Sequence, residues 1–347
     1  MRIAKKVRKL SAYAHGEQPR EPDVIKLNTN EAAYPPSRKV MAELRKVTAE
    51  SLRRYPDAEF SELRVELASL HGVRPENVFV GNGSDEILSL LTDAFVEDDE
   101  IICTLDPSYS LYRVLAAIRG VEWRGVGWGA AGLQSRPPKN CALFIWTNPN
   151  NPTGTLVPAK EIAAFARGFR GVVVVDEAYA DYASSNCVRL AAAACNRNVI
   201  VMRTFSKAYA LAGLRVGYCI GPADLMEALY RIKDSYNVDA VAQQLALAAV
   251  RDQAGLGKTV RRVLKTRTRF VAALEKRGWD VLPSEANFVF ARPPDPTDAE
   301  RLFRSLRARK IYVRYFPGPK TGDRVRVTIG TDAQMRKVLR EIDDILL

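Results

Sequence analysis

The chain has 347 residues, enough for one large or two medium domains, and 47% of them are hydrophobic, as in an ordinary globular protein. No run of about 18 apolar residues occurs, so we expect no membrane span. Five cysteines without a CxxC spacing and only two histidines argue against a disulfide framework, a metal centre and a Ser-His-Asp triad.

The formal net charge of +12 comes from basic residues spread along the chain, without a basic run interleaved with aromatic residues. We therefore expect no nucleic-acid binding, and attribute the charge to solvated helix faces and a site for anionic substrates. The basic N-terminus lacks the apolar stretch and cleavage site of a signal peptide. Together with cysteines placed in apolar runs, this predicts a cytoplasmic protein with reduced thiols.

Apolar periodicity predicts alternating helices and strands over residues 38–201. In chain order we expect helix 38–52, helix 60–71, strand 78–80, helix 86–95, strand 100–105, a helix from about 106 to 120, strand 141–146, helix 158–168, strand 171–175 and strand 199–201. The wholly apolar strand 171–175 indicates a central parallel strand, buried on both faces. This order predicts a parallel α/β sheet whose functional site lies at the carboxyl ends of its strands.

Further along the chain we expect two more helices of the large domain, followed by a separate α+β segment. In chain order we expect helices 223–236, 239–253 and 259–277, strands 279–282 and 287–291, helix 298–309, antiparallel strands 311–314 and 324–329, and helix 332–346. We predict three parts: an N-terminal segment over 1–39, a large domain over 40–258 and a small domain over 259–347. The N-terminal segment is expected to pack against the small domain or a partner subunit.

Polar residues follow several of the predicted strands and are expected to converge at one edge of the sheet. They are Gly83, Asn151, Asp176 and Lys207. A lysine at the end of a buried strand is desolvated, which lowers its pKa and makes it a good nucleophile toward carbonyls. Ser206 and Arg215 beside it suit a phosphate. The group indicates pyridoxal phosphate (PLP); a surface lysine in a turn is the alternative.

Nine short motifs occur in order along most of the chain. They are Leu27-Asn-Thr-Asn-Glu31, Arg54-Tyr-Pro-Asp57, Gly81–Glu86, Pro107-Ser-Tyr109, Asn148–Gly154, Asp176-Glu-Ala-Tyr179, Ser206–Arg215, Ser284–Phe288 and Arg326–Thr331. In this order they resemble the fold-type I PLP-dependent aminotransferases of class I and II, most of all the histidinol-phosphate aminotransferases. The resemblance implies an α/β large domain with a mainly parallel sheet between two helix layers, and a smaller α+β domain built from the two chain ends.

The resemblance also implies roles for residues around the cofactor ring. Lys207 forms a Schiff base with PLP and moves a proton during amine exchange. Asp176 pairs with the pyridine nitrogen, so that the ring withdraws electrons. Tyr179 and Asn151 hydrogen-bond the 3′ oxygen, and Tyr109 stacks on the ring. The alternatives are a helix cap for Asp176, a structural turn for Asn151 and core packing for Tyr109.

A second group of residues is implied for the cofactor phosphate. It consists of the glycine-rich turn at Gly83, the backbone N–H groups of Ser84 and Asp85, and the side chains of Ser206 and Arg215. For the turn itself, a plain capped helix start is the alternative. Tyr55 is implied to reach the same phosphate from a partner subunit, which predicts a homodimer with shared active sites; a tyrosine in a proline-containing turn is the alternative.

For the substrate, the resemblance assigns the α-carboxylate to Arg326 and adds a second arginine, Arg314. Two guanidinium groups suit a phosphate dianion better than one, and the same pair can take both carboxylates of glutamate. Tyr13 and Glu31 are implied to line the imidazole end of the site. A solvated strand arginine is the alternative for Arg314. No metal is expected.

The predicted reaction converts L-histidinol phosphate and 2-oxoglutarate into imidazole acetol phosphate and L-glutamate, a step of histidine biosynthesis. An aromatic amino-acid aminotransferase, a threonine-phosphate decarboxylase-like enzyme and a non-catalytic binding protein are the alternatives. Two stretches depart from the family pattern. Residues 121–140 are short and rich in glycine and proline, which predicts a weak strand and a loop, and residues 316–323 are expected to alter access to Arg314.

Overall fold

The computed structural model describes residues 2–3, 5–8, 10, 16–129, 132–192, 196–294 and 298–346. The helices are α1 Lys5–Arg8, α2 Arg38–Leu44, α3 Ala49–Leu52, α4 Ser61–His71, α5 Gly83–Phe95, α6 Leu111–Arg119, α7 Ala159–Gly168, α8 Val188–Ala192, α9 Ala223–Ile232, α10 Ala240–Arg251, α11 Gln253–Glu275, α12 Ala299–Ala308 and α13 Asp332–Leu346. The strands are β1 Ile25–Lys26, β2 Val78–Gly81, β3 Ile101–Leu105, β4 Glu122–Val126, β5 Trp128–Gly129, β6 Gly132–Leu133, β7 Cys141–Thr147, β8 Val172–Asp176, β9 Val199–Thr204, β10 Gly217–Ile220, β11 Asp280–Val281, β12 Phe288–Arg292, β13 Ile311–Tyr312, β14 Arg314–Tyr315 and β15 Val325–Thr328.

The larger sheet has the strand order β2-β10-β9-β8-β7-β3-β4. The strands from β9 to β4 pair in parallel, and β10 pairs antiparallel with both of its neighbours. The predicted parallel sheet is therefore confirmed for its central strands. Strand β10 was not expected, because its four residues, Gly-Tyr-Cys-Ile, carry too short an apolar pattern to predict a strand.

Both faces of the larger sheet are covered by helices. Along β8, Val173 and Val175 join one apolar core, while Val174 joins the core on the opposite face, as the alternation of side chains along a strand requires. Helices α4, α7, α8 and α10 contribute to the first core, and α5, α6 and α9 to the second. The sheet between two helix layers agrees with the predicted fold class.

A four-stranded antiparallel sheet, β11-β12-β15-β14, forms with α11, α12 and α13 a further apolar core. Ile25 and Leu27 belong to this core, and β1 pairs in parallel with β13. The N-terminal segment therefore completes the smaller α+β unit. Leu256 of α11 packs against this core and against one core of the larger sheet. The domain boundaries at residues 39 and 258 stay predictions.

Several predicted elements need correction. The helix expected over 38–52 is interrupted, because the Thr48 side chain accepts a hydrogen bond from Ser51 N and starts a new helix, α3. The helix expected from residue 106 begins at Leu111, and the helix expected from residue 259 begins at Gln253. Of the expected strand 311–314, only Arg314 pairs with β15, whereas Ile311 and Tyr312 form β13 and pair with β1. None of the described helices is both long and apolar enough to cross a membrane.

Candidate active site

A cavity of about 520 Å³ lies where β7, β8 and β9 end, and residues of β14 and β15 form its far wall. Most of the predicted site residues line it. They are Glu31, Ser84, Asp85, Tyr109, Asn151, Asp176, Tyr179, Ser206, Lys207, Arg215, Arg314 and Arg326. The strand ends therefore converge as the parallel topology predicts.

Lys207 lies three residues after β9, inside the cavity. Its Nζ donates a hydrogen bond to the Thr29 carbonyl oxygen at 3.0 Å and lies 6.0 Å from the centroid of the Tyr179 ring. Burial, helped by the positive charge of Arg326, lowers the pKa of Lys207 from 10.5 to about 8. A neutral amine, the nucleophilic form, is therefore accessible near neutral pH.

Asp176 ends β8, and only 4% of its surface is exposed. One carboxylate oxygen accepts a hydrogen bond from the Tyr112 hydroxyl at 2.6 Å, and the other accepts one from Ala178 N at 3.1 Å. Burial raises the pKa of Asp176 to about 6, against the opposing effect of the Tyr112 hydrogen bond. A buried carboxylate facing a cavity is stabilised in its charged form by a cationic group, such as a protonated ring nitrogen.

The start of α5 faces Arg215 at one end of the cavity. Gly83 has φ +80°, which favours glycine, and a Cβ atom there would lie 2.8 Å from Arg215 Nη2, so a larger residue would displace the end of the Arg215 side chain. Gly83 therefore supports Arg215 and is absent from the residues that line the cavity. A Cβ atom at Gly217 would lie 2.7 Å from Ser84 N, so glycine at this position too keeps the start of α5 close to β10.

Arg215 itself has φ +52°, an uncommon conformation for a residue with a side chain. Its guanidinium donates hydrogen bonds to Ser206 Oγ at 3.3 Å and to an Asp85 carboxylate oxygen at 3.2 Å. A guanidinium, a hydroxyl and the free N–H groups of a helix start form a site for a phosphate. These residues fit the 5′-phosphate of PLP.

Two tyrosines of the cavity lining are held by contacts with neighbouring residues. The Tyr179 hydroxyl accepts a hydrogen bond from Asn30 Nδ2 at 3.0 Å, and its ring packs edge-on against Phe288 at 5.0 Å between centroids. Tyr109 packs edge-on against Tyr112 at 5.5 Å. Both rings line the cavity, so each is placed to contact a flat ligand.

Arg326 and Arg314 form the wall contributed by the smaller sheet. They lie directly opposite each other in the antiparallel pair β14–β15, so their side chains share one face of the sheet. Arg326 is 5% exposed; its Nη1 donates to Asn151 Oδ1 at 2.5 Å and its Nη2 to the Asn28 carbonyl oxygen at 2.7 Å. Like charges placed opposite each other are unfavourable unless an anion lies between or beside them, which indicates an anion site.

Two predicted site residues have surroundings that the prediction did not include. Glu31 lines the cavity, but its carboxylate pairs with Lys26 Nζ. Tyr55 is 80% exposed and stacks on Tyr236 at 4.4 Å, so it takes no part in the cavity of its own chain. Tyr13 lies outside the described residues.

Several residues that support the site were not predicted. Tyr112, which bonds Asp176, lies in α6 three residues after Tyr109, and Asn30 lies in the Leu27–Glu31 motif beside the expected Glu31. Both interactions join segments that are distant in the chain, so no local pattern reveals them.

A buried ion pair lies on the opposite side of the β8 end. Arg203 Nη2 donates to Glu177 Oε2 at 2.7 Å, and Arg203 Nη1 lies 3.2 Å from Asp181 Oδ1. Of these residues only Glu177 lies inside a predicted motif, Asp176–Tyr179, while Arg203 and Asp181 lie just outside the motifs that hold Lys207 and Asp176. Within the described ranges, no group of three or more His, Cys, Asp or Glu side chains is placed to hold a metal ion.

Comparison with known proteins supports the motif analysis. The sequence profile described as Aminotransferase class I and II matches residues 22–342. The histidinol-phosphate aminotransferase of Citrifermentans bemidjiense is 41% identical over 346 residues, which is 98% of each chain. Histidinol-phosphate aminotransferase 2 of Thiobacillus denitrificans is 43% identical over 94% of this chain and 92% of that protein.

Solved structures show the same fold. The histidinol-phosphate aminotransferase from Sinorhizobium meliloti, in complex with pyridoxal-5′-phosphate, superposes with a TM-score of 0.85 at 24% identity over 98% of each chain. A mutant aspartate aminotransferase from Thermus thermophilus gives a TM-score of 0.81 at 19% identity, again over 98% of each chain. At these identities the two structures are informative about the fold alone.

Together, the matches confirm the predicted fold class and the predicted aminotransferase activity, while the roles of individual residues stay predictions. The profile covers most of the chain, and the two curated relatives extend over more than nine-tenths of it. The chain therefore belongs to the class I and II aminotransferases, and within them to the histidinol-phosphate aminotransferase family.

Proposed function

We propose that this chain transfers the amino group of L-histidinol phosphate to 2-oxoglutarate, yielding imidazole acetol phosphate and L-glutamate. The observation that carries the proposal is the opposed pair Arg314 and Arg326, which faces the same cavity as Lys207 and Asp176. One wall supplies the groups for amine exchange, and the other supplies two guanidinium groups for a dianionic donor. Curated relatives that carry this activity in their names match the chain over nearly its whole length.

Pyridoxal 5′-phosphate is the cofactor, and when bound it supplies an aldehyde for amine exchange and a ring that withdraws electrons. We assign its phosphate to Ser84 N, Asp85 N, Ser206 and Arg215, at the start of α5. Asp176 holds the proton of the ring nitrogen through its buried carboxylate. The lowered pKa that burial gives Lys207 suits an amine that binds a carbonyl carbon covalently.

Proton transfer is assigned to the same lysine. With the cofactor bound, the Lys207 amine would take the proton from the substrate α-carbon and deliver it to the C4′ carbon of the cofactor. Tyr179, whose hydroxyl is held by Asn30 at 3.0 Å, and Asn151 orient the PLP ring at the edge that carries the 3′ oxygen. Tyr109 packs on the face of the PLP ring. These contacts fix the plane in which the proton moves.

Substrate binding is assigned to the arginine wall. A phosphate monoester presents three oxygens and two negative charges, which one guanidinium alone does not neutralise. Arg326, oriented by Asn151 and the Asn28 carbonyl, binds one edge, and Arg314 binds another. In the second half-reaction Arg326 binds the α-carboxylate of glutamate, which one bidentate guanidinium satisfies. Glu31, and Tyr13 outside the described residues, are assigned to the imidazole end.

We further propose a cytoplasmic homodimer in which Tyr55 reaches the cofactor phosphate of the partner subunit. The exposed Tyr55 ring, at 80%, and the neighbouring Leu52, at 61%, form an uncovered apolar surface beside the stacked Tyr236. Light scattering should give twice the mass of the chain. Mixing the inactive variants Tyr55→Ala and Lys207→Ala should restore activity, because hybrid dimers then contain one site with both residues intact.

The proposed reaction is tested by comparing amino donors with the PLP-loaded enzyme. Glutamate formation from 2-oxoglutarate is followed with L-histidinol phosphate, phenylalanine or tyrosine, for wild type and Arg314→Ala. We expect histidinol phosphate to be strongly preferred. Loss of one charged hydrogen-bonding partner costs about 1.5–3 kcal/mol, so Arg314→Ala should lower its kcat/KM about 10- to 100-fold.

The control is Arg292→Ala, which removes an arginine from β12 of the same sheet, outside the cavity lining. It should leave the donor preference unchanged. Equal or faster reaction of the aromatic amino acids, unaffected by Arg314→Ala, would instead identify an aromatic aminotransferase. Release of carbon dioxide from a phosphorylated amino acid would identify a decarboxylase.

A further inference from the structure

Phe316 lies near both guanidinium groups of the arginine wall. The centroid of its ring is 5.4 Å from Arg314 Cζ and 5.2 Å from Arg326 Cζ. Phe288 lies 5.2 Å from Arg326 Cζ, so aromatic rings and guanidinium groups alternate. Phe316 also lines the cavity.

The position of the Phe316 ring affects the repulsion between Arg314 and Arg326. Arg314 and Arg326 are cross-strand neighbours on one face, where two positive charges repel each other. The face of an aromatic ring carries partial negative charge and attracts a guanidinium. A ring that contacts both groups therefore offsets part of their repulsion and sets the distance between them.

The backbone around Phe316 is fixed in turn. Thr321 Oγ1 donates a hydrogen bond to the Phe316 carbonyl oxygen at 2.9 Å, and Phe290 packs edge-on against the ring at 6.5 Å. The ring therefore belongs to the folded wall of the cavity.

Arg314 and Arg326 depend on this ring to different degrees. Arg326 lies in the buried strand β15, between β12 and β14, and two hydrogen bonds to Asn151 and the Asn28 carbonyl orient it independently of Phe316. Arg314 lies in the two-residue edge strand β14, which leads directly into Phe316. Removal of the ring should therefore displace Arg314 more than Arg326.

We propose that Phe316 is a specificity-determining residue, which positions Arg314 beside Arg326 so that the wall selects a phosphate monoester over a carboxylate. A carboxylate is planar and is satisfied by one bidentate guanidinium, whereas a tetrahedral phosphate dianion uses both. The inference rests on the proposed function for the identity of the donor. The pairing of the two arginines through Phe316 does not depend on that identity.

The test measures the two half-reactions separately, through the absorbance of the bound cofactor, with histidinol phosphate or glutamate as donor. Phe316→Leu keeps an apolar side chain but removes the ring face, and Phe316→Tyr keeps the ring. For Phe316→Leu we expect the dissociation constant of histidinol phosphate to rise about tenfold, that of glutamate less than threefold, and the limiting rate with either donor to stay within threefold. Phe316→Tyr should behave like wild type.

Two controls separate positioning from general damage. Phe303→Leu removes a neighbouring ring of the same sheet region, which stacks on Tyr315 outside the cavity, and should change neither constant. In the Arg314→Ala background, Phe316→Leu should have little further effect, because its action passes through Arg314. Equal weakening of both donors, or a full effect of Phe316→Leu without Arg314, would overturn the proposal.

Inorganic phosphate separates this inference from the proposed function. Its affinity for the PLP-loaded enzyme is measured by displacement of glutamate, and Phe316→Leu should lower that affinity at least fivefold. If histidinol phosphate fails to react but phosphate shows this loss, the proposed donor is wrong and the role of Phe316 stands. If phosphate binds wild type and Phe316→Leu equally, or binds neither, the role of Phe316 is wrong.

Discussion

At the scale of single residues, Lys207 and Asp176 are both destabilised in their charged forms. Each ionises inside the cavity, where desolvation opposes the charged form, and their pKa values move in opposite directions, to about 8 and about 6. Without a ligand, neither charge is fully compensated. The site therefore favours the binding of groups whose charges complement those of Lys207 and Asp176. The desolvation of these two charges lowers the stability of the folded chain.

This cost can be measured at Lys207. Since the pKa of the folded state lies below the ordinary value of 10.5, the unfolded chain binds more protons between about pH 8 and 10.5, and stability rises with pH across that window. In cofactor-free protein, Lys207→Met should increase the free energy of unfolding by about 2–3 kcal/mol at pH 7 and by about half as much at pH 9.5.

Urea unfolding at the two pH values provides the measurement. Lys39→Met, at a lysine whose side chain is 74% exposed, is the matched control and should show no such gain. A Lys207→Met variant no more stable than wild type at pH 7 would contradict the assigned desolvation.

At the scale of elements, the start of α5 depends on Gly83 more than on any side chain of the turn. Gly83→Ala combines φ +80° with a Cβ atom 2.8 Å from Arg215 Nη2. We expect Arg215 to be displaced and the affinity for PLP to fall about 10- to 100-fold, the loss of one or two charged hydrogen bonds. Equilibrium titration with PLP, followed by absorbance, checks this value.

The control is Gly120→Ala, which introduces alanine at φ +89° where no atom lies within 4 Å of the new Cβ. It carries a similar backbone cost of about 1 kcal/mol but leaves Arg215 untouched. Equal losses of PLP affinity in the two variants would show that backbone strain alone, and not contact with Arg215, sets the requirement for glycine.

The elements also show what the sequence predicts and where prediction ends. Strands β7, β8 and β9 are apolar runs followed by polar motifs, so both their existence and the convergence of Asp176 and Lys207 could be inferred from local pattern and parallel topology. Strand β10 could not, because four residues define no period. The contacts of Tyr112 with Asp176 and of Phe316 with Arg326 arise only when distant segments meet, and a linear pattern carries no signal for them.

At the scale of the whole molecule, acid stability depends on a residue far from the cavity surface. His71 ends α4, and its Nε2 lies 2.9 Å from the buried Tyr218 hydroxyl. Burial, with Arg203 nearby, lowers the pKa of His71 from 6.5 to about 4. The unfolded chain therefore binds more protons between pH 4 and 6.5, and stability falls as the pH drops through that window.

The variant His71→Gln keeps a hydrogen-bonding group for Tyr218 and removes the titration. Between pH 7.5 and 4.5, wild type should lose about 2 kcal/mol more unfolding free energy than the variant. Urea unfolding of both proteins at the two pH values provides the comparison. Parallel losses would show that other groups control acid unfolding.

The end of β8 has a consequence for the evolution of this chain. Asp176 faces the cavity and its neighbour Glu177 faces Arg203, and Glu177 N still bonds to the Met202 carbonyl oxygen, so the pairing with β9 continues past the last strand residue. Because side chains alternate, a one-residue deletion in β8 would bring Glu177 to the place of Asp176 and Ala178 to the place of Glu177, so the buried Arg203 would lose its partner. A one-residue insertion would bring Val175 to the place of Asp176, so the cavity would lose its carboxylate. Substitutions can accumulate along this strand, whereas a change in its length cannot.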